Sequence, residues 1–247
     1  MMCETTWRDP QTSTDVLVDE AHVWRAWLDQ PAWRVQALAR FLSADERQRA
    51  EQYRFERDRV RFIVGRGLLR TILGKYLRIE PGDIRFAYGA FGKPTLEKPV
   101  GRKRLQFNVA HSGELALYAF TRDRAIGVDV ERCRPLPDAG QLVERFFSSQ
   151  EAVTWRRLLP YEQPAAFFNC WTRKEAFIKA VGDGLSHPLD QFAVSLTPGE
   201  PARLLQASGD PEAASTWELH ALTPADGYVA ALAVKRPPCR LTYYDVP

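Results

Sequence analysis

The spacing of hydrophobic positions along this chain changes several times, and each change marks an element. Residues 43–77 are helical in pattern, with Leu68, Leu69, Ile72, Leu73 and Leu77 striping a long amphipathic helix over 59–77. Ser43 with Glu46 three residues on predicts a capping box at the start, and Pro81-Gly82 ends the block. Short strand-like runs follow at 84–88, 105–110, 115–120 and 126–130, with Gly92-Lys93-Pro94 as a loop between the first two. A second helical block covers 143–159 and a third 164–181, where Pro164 suits a first turn and Gly182 a stop. Strands at 192–196, 216–221 and 228–234 close the pattern. A long helix followed by several strands therefore occurs twice. This order predicts an α+β fold: a pseudo-dimer of two related α+β halves, each a long helix packed on an antiparallel sheet. The boundary falls near Asp123-Arg124, giving halves of 1–123 and 124–247, although no residue-level repeat is apparent.

Composition narrows the class. The chain has 247 residues, 45% hydrophobic and 26% charged, which excludes disorder and allows a sizeable core without staples. The longest apolar run, 228–234, falls far short of the ~20 residues a membrane helix needs. Residues 1–10 carry Glu4 and Asp9 and lack the apolar stretch of a signal peptide. Cys3, Cys133, Cys170 and Cys239 are scattered, with no Cys-x-x-Cys, which argues against a disulfide framework or structural zinc. The expectation is a soluble, reduced, cytoplasmic protein. Net charge is only +3, yet residues 34–78 hold twelve Arg/Lys against five Asp/Glu. That excess attracts anions, whether nucleic acid, a phosphorylated cofactor or an acidic protein; the same composition also describes a solvated, ion-paired helix face.

Three segments carry candidate chemistry. In Gly127-Val128-Asp129-Val130-Glu131, a strand would send Asp129 and Glu131 to one face and the valines to the other. Paired carboxylates repel unless a cation lies between them, and hard oxygen ligands suit Mg²⁺; the alternative is an acidic pair on a solvated strand. In Trp171-Thr172-Arg173-Lys174-Glu175-Ala176-Phe177-Ile178-Lys179, Glu175 and Lys179 share a helix face. They form either an intrahelical ion pair or the completion of a three-carboxylate metal site with a phosphate-facing lysine. The apolar setting of Phe167, Phe168, Trp171, Phe177 and Ile178 favours the second. Phe107-Asn108-Val109-Ala110-His111-Ser112 places His111 where a strand gives way to a turn, as a functional group or as a hydrogen-bonded structural one. There is no serine-triad elbow, no Walker loop and no dinucleotide fingerprint.

In their order and spacing these three segments resemble the 4′-phosphopantetheinyl transferases. The length and the Gly92-Lys93-Pro94 loop are similar to the larger, surfactin-synthetase-activating type. Arg145-Phe146-Phe147-Ser148 with Glu151, and Gly184-Leu185-Ser186-His187-Pro188-Leu189 with Phe192, extend the match over residues 43–234. Ala110 and Thr172 depart from it, neither removing a charge. The resemblance implies coenzyme A in a cleft between the halves, Mg²⁺, and transfer of the phosphopantetheine arm to a serine of an apo acyl or peptidyl carrier protein, with release of adenosine 3′,5′-bisphosphate. By the same resemblance, Asp129, Glu131 and Glu175 hold the metal, Glu175 takes the serine proton and Lys179 meets the transferred phosphate. Arg49, Arg61, Lys93 and His111 contact the adenosine 3′-phosphate and diphosphate, and Asn108 and Gly92 line the nucleotide. The expected state is a monomer with neither nucleic-acid nor membrane partners.

Three other readings weigh less. An arginine-rich nucleic-acid binder using 47–70 lacks a stacking platform, since Tyr53, Phe55 and Phe62 are sparse. A Mg²⁺-dependent nuclease lacks a convincing fourth carboxylate. A degenerate carrier-protein binder would not retain Asp129, Glu131, Glu175 and Lys179.

Overall fold

A computed structural model describes residues 6–9, 16, 19–89, 92–97, 104–182 and 188–246. Most of the Gly184–Leu189 motif lies outside the described residues. In chain order the elements are β1 (Glu20–Trp27), α1 (Ala32–Ala39), α2 (Ala44–Glu51), α3 (Glu56–Leu77), β2 (Phe86–Tyr88), β3 (Pro94–Leu96), β4 (Leu105–Ser112), β5 (Leu115–Arg122) and β6 (Ile126–Arg132). The chain continues with α4 (Ala139–Phe146), α5 (Ser149–Arg157), α6 (Gln163–Val181), β7 (Phe192–Val194), β8 (Leu204–Ala207), α7 (Ala213–Thr216), β9 (Trp217–Leu222), β10 (Tyr228–Lys235) and β11 (Arg240–Asp245). The fold is mixed α+β.

Side-chain alternation stacks these elements into layers. One sheet runs β11-β1-β5-β4 and a second runs β6-β10-β9. On β5, Ala116, Tyr118 and Phe120 meet the α3 core, while Leu115, Leu117 and Ala119 pack on Val128, Val130, Ala230 and Leu232 of the second sheet. The second sheet's other face, through Ala231 and Ala233, meets α6 residues such as Ala176 and Ala180. The order is therefore helix, sheet, sheet, helix. Strands β5 and β10 are covered on both faces, which is why each reads as an unbroken apolar run rather than an alternating one.

Where expectation and structure differ, the reason is local. The block over 43–77 is two helices, because Gln52 caps α2 and the chain turns before α3. The block over 143–159 splits at Ser148, which opens α5 with its own capping box. Strand β1 was hidden by its polar residues Glu20, His22 and Arg25. His22 is buried, bonded at 2.8 Å to the Tyr76 hydroxyl, and burial pulls its pKa down to about 4 although Glu20 stands 3.5 Å away. The β1–β11 pairing is parallel, so the last described strand returns to the first sheet; the other pairings between named strands among the described residues are antiparallel.

One arrangement occurs twice. The Ser43 N–H donates to Glu46 Oε2 at 3.0 Å, and Arg70 Nε of α3 reaches the same oxygen at 2.7 Å. Arg70 also donates to the carbonyls of Pro81 and Ile84, at 3.0 and 2.9 Å. In the second half the Ser148 N–H donates to Glu151 Oε2 at 2.7 Å, and Lys174 Nζ of α6 meets that oxygen at 2.8 Å. Lys174 then donates to the carbonyls of Leu189 and Phe192, both at 2.6 Å. All four charged side chains are buried, each locking a capped short helix, a long helix and the chain after it.

Burial makes these clamps expensive to break halfway. Lys174→Ala leaves the Glu151 carboxylate buried without its cation and should cost about 3–5 kcal/mol in urea unfolding. The Glu151→Ala/Lys174→Ala double variant should lose clearly less than the sum of the single losses. Additive losses would mean that the two charges are not coupled.

Candidate active site

The site begins with a close approach of strand and helix. Alternation on β6 sends Val128 and Val130 into the core between the sheets, and Gly127, Asp129 and Glu131 toward α6. A Cβ on Gly127 would stand 2.1 Å from the Ala176 carbonyl oxygen and 2.4 Å from the Ala180 nitrogen, so only glycine fits. This contact brings Lys179 Nζ to 2.6 Å from Asp129 Oδ1. The lysine spends its hydrogen bond across the β6–α6 interface on Asp129. Glu175 lies one turn earlier on the helix.

Asp129 pairs with Lys179, and Glu131 and Glu175 act on the pair electrostatically. Asp129 is buried and its Oδ2 has no hydrogen-bond partner among the described residues. Burial raises its pKa to about 7 against the pull of Lys179, with Glu175 and Glu131 adding repulsion. Burial also raises Glu175, opposed by Lys179 and reinforced by Glu131. Glu131 is half-buried, and its Oε2 accepts from the Ser112 hydroxyl at 2.8 Å. That hydroxyl in turn accepts from the Arg132 N–H at 3.1 Å. Hard, mutually repelling oxygens, one of them buried and unpartnered, are donor chemistry suited to a divalent cation. Among the described residues, no three His, Cys, Asp or Glu side chains stand close enough to form a ready-made ligand set.

Beside this cluster lies a cleft of about 520 Å³. Its long wall is one face of α3, formed by Asp58, Arg61, Phe62, Gly65, Arg66 and Leu69. Arg49 and Tyr53 close one end, and Val109, His111, Ala116 and Tyr118 face them. His111 opens to solvent, yet protein crowds it enough that burial, with Lys179 and Arg61, lowers its basicity, while Glu131 opposes. It thus stands within electrostatic reach of both cleft and carboxylates. Arg61 is held by Asp29 through two hydrogen bonds of 2.7 and 2.8 Å.

Three residues expected at the nucleotide are not among those that line this cleft. Asn108 is buried, and its side-chain oxygen accepts the Val128 N–H at 2.9 Å, stitching edge strand β4 to edge strand β6. Lys93 donates to the Lys179 carbonyl, tying the β2–β3 hairpin to the end of α6; burial and Lys179 lower its basicity. Gly92 has φ +73° in the hairpin turn and donates to the Gly89 carbonyl at 2.9 Å, with open space where a side chain would stand. Conversely, Arg66 of the cleft was not singled out in the sequence, and Tyr53 and Phe62 stood there only as sparse aromatics. The signal was present, since positions 58, 61, 62, 65, 66 and 69 follow the helical repeat.

A basic, aromatic cleft leading to an acid–lysine cluster defines a site for an anionic substrate handled beside a cation. Comparison with known proteins gives the family. Residues 24–122 match the family model described as 4′-phosphopantetheinyl transferase, N-terminal, and residues 125–233 match the 4′-phosphopantetheinyl transferase superfamily. The chain is 43% identical over 233 residues to the 4′-phosphopantetheinyl transferase HetI of Nostoc sp., covering 94% of this chain and 95% of that one. It is 33% identical over 156 residues to the 4′-phosphopantetheinyl transferase Sfp of Bacillus subtilis, covering 63% and 67%. Against the human L-aminoadipate-semialdehyde dehydrogenase-phosphopantetheinyl transferase the identity is 27% over 224 residues, covering 85% and 72%. The chain belongs to the 4′-phosphopantetheinyl transferase family and is a transferase. Among the described residues, no helix is long and apolar enough to cross a membrane.

Two predictions follow from the geometry. Gly127→Ala must push α6 off β6; the soluble fraction and melting temperature should both fall, whereas Gly140→Ala, with open space around it, should leave both unchanged. Asp129 holds its proton more tightly in the fold than in the unfolded chain, so its contribution is favourable below pH 4 and is lost as pH rises through 7. Asp129→Asn should therefore stabilise the chain by about 1–3 kcal/mol at pH 8, with the gain shrinking toward pH 5. Lys179, partly exposed, can turn to water in that variant. Equal stability at both pH values would contradict the assigned burial penalty.

Proposed function

We propose that this chain moves the 4′-phosphopantetheine arm of coenzyme A onto a serine hydroxyl of an apo acyl or peptidyl carrier protein, releasing adenosine 3′,5′-bisphosphate. The observation that carries the reading is the cleft lined together by Arg49, Arg61, Arg66 and His111, with His111 also within electrostatic reach of Lys179 and Glu131. A nucleotide lying in the arginine-lined cleft would present its diphosphate at that seam.

The chemistry follows from the groups there. The serine oxygen bonds to the β-phosphorus, the bond from that phosphorus to the bridging oxygen breaks, and adenosine 3′,5′-bisphosphate leaves with the electron pair. Glu175, whose basicity is raised by burial, accepts the serine proton. Lys179 offsets charge on the transferred phosphate, and Arg49, Arg61, Lys93 and His111 position the nucleotide, with Asn108 and Gly92 bordering it. Asp129, Glu131 and Glu175 would hold Mg²⁺, which supplies charge neutralisation on the diphosphate when bound. The unpartnered Asp129 Oδ2 supports that assignment.

The reading extends to architecture. We take the chain as a fused pair of related halves, 1–123 and 124–247, of the larger surfactin-synthetase-activating type. The paired Glu46–Arg70 and Glu151–Lys174 clamps support the duplication, and the two family-model matches fall on either side of the boundary. Strand β11 is the exception that crosses back. A monomer working in a reducing cytoplasm is consistent with free Cys133, Cys170 and Cys239.

Incubation with coenzyme A, Mg²⁺ and a panel of apo carrier proteins, read by intact mass, tests the proposal. At least one carrier should gain the mass of one phosphopantetheine arm, and chelation of Mg²⁺ should abolish the gain. Glu175→Gln should lower kcat by roughly 10²-fold or more while the protein stays folded. No mass gain on any carrier would overturn the reading.

A further inference from the structure

One polar residue of the segment 107–112 has no part in the proposed chemistry. Ser112 ends β4, next to His111 of the cleft wall. Its hydroxyl makes two hydrogen bonds to β6: it accepts from the Arg132 N–H at 3.1 Å and donates to Glu131 Oε2 at 2.8 Å. The directions are forced. A backbone N–H can only donate and a carboxylate only accepts, so the single hydroxyl proton goes to Glu131. One carboxylate oxygen is thereby engaged, and the other is left to face a cation.

The turn that follows grips the same strand end. Gly113 has φ +58°, and a Cβ there would stand 3.0 Å from the Tyr228 hydroxyl and 3.3 Å from Arg132 Cδ. Glu114 Oε2 pairs with Arg132 Nη1 at 3.2 Å. Farther back on β4, the Asn108 side-chain oxygen accepts the Val128 N–H at 2.9 Å. Side chains of β4 thus accept from the β6 backbone at two places, four residues apart on each strand. With the strands fixed in this way, the bond to Oε2 restrains what the backbone leaves free, the rotation of the Glu131 carboxylate. The Arg132 N–H is exposed, so water can replace the hydroxyl there. At Glu131 a water would bring no fixed direction.

We infer that Ser112 is a positioning residue: its hydroxyl holds the Glu131 carboxylate in the orientation a divalent cation needs, and ties it to the stretch of cleft wall that carries His111 and Gly113. The inference rests on the transferase reading above. Mg²⁺ demands near-ideal geometry, and losing a hydrogen bond to one of its ligands typically costs about 10- to 100-fold in metal affinity or activity. Ser112 acts through Glu131 and touches no reacting atom.

Mn²⁺ binding to the protein with coenzyme A and no carrier, followed by electron paramagnetic resonance, tests this apart from catalysis. Ser112→Ala, and Ser112→Cys, which keeps the volume but donates weakly, should each weaken Mn²⁺ by about tenfold or more. Affinity for adenosine 3′,5′-bisphosphate without metal should stay within about twofold, and Ser112→Thr, which keeps the hydroxyl, should restore most of the Mn²⁺ affinity. In the carrier assay the Mg²⁺ concentration for half-activation should rise by the same factor, with KM for coenzyme A little changed and kcat recovered at excess Mg²⁺. Metal would not rescue a residue that only holds the fold. In a Glu131→Ala background, Ser112→Ala should add no further loss of Mn²⁺ affinity. The inference is overturned by Mn²⁺ affinities within about twofold of the unmutated value in both the Ala and Cys variants, or by an undiminished Ser112→Ala effect in the Glu131→Ala background. If Ser112→Ala does not fold, Ser112→Cys decides by the same ratio. Failure of arm transfer to every carrier defeats the transferase reading, and the Mn²⁺ ratios, measured without coenzyme A, still judge Ser112.

Discussion

The approach of β6 to α6 at Gly127 is the constraint on which the site depends. With no side chain there, the helix backbone lies directly on the strand, and Asp129 and Lys179 come within hydrogen-bond distance. A larger separation would let water between them, and the raised pKa of Asp129 would relax toward that of an ordinary surface carboxylate. The cluster thus holds charged groups in tension: a buried Asp129 on Lys179, with Glu131 and Glu175 adding repulsion. Such an arrangement costs stability in the resting protein and is retained where chemistry needs groups that are not already satisfied.

Much of the fold was legible because periodicity and punctuation agreed. The capping boxes at Ser43 and Ser148, the stop at Gly182 and the apolar runs of β5 and β10 each say in sequence what they do in space. Strands β1 and β11 were illegible for a physical reason. The buried polar residues of β1 are satisfied by partners far along the chain, Tyr76 for His22 and Arg240 for Glu20, and a local window cannot see them. The recurrence of the buried clamp was equally hidden, because its cation is an arginine at 70 and a lysine at 174.

The site was legible in its charges and less so in its placements. Asp129 and Glu131 share a face as strand alternation requires, and Glu175 and Lys179 meet them from the helix. Asn108 and Lys93 fit the motif, yet in this structure their polar atoms are spent on backbone groups of the opposite half. Which partner a polar side chain takes is decided by tertiary neighbours that no spacing rule contains. Arg66 is the reverse case, a residue with no motif to announce it, made conspicuous only by its buried Nη1, which has no hydrogen-bond partner among the described residues.

The return of β11 to the first sheet bears on how the chain is made. Glu20 at the start of β1 pairs with Arg240, so the outer edge of that sheet stays open until synthesis has passed β11. A nascent chain must therefore carry an unpaired, largely apolar β1 edge through most of its time on the ribosome, a state open to pairing with other chains. Loss of β11 would leave that edge bare for the lifetime of the molecule, so a strand made late guards one made early.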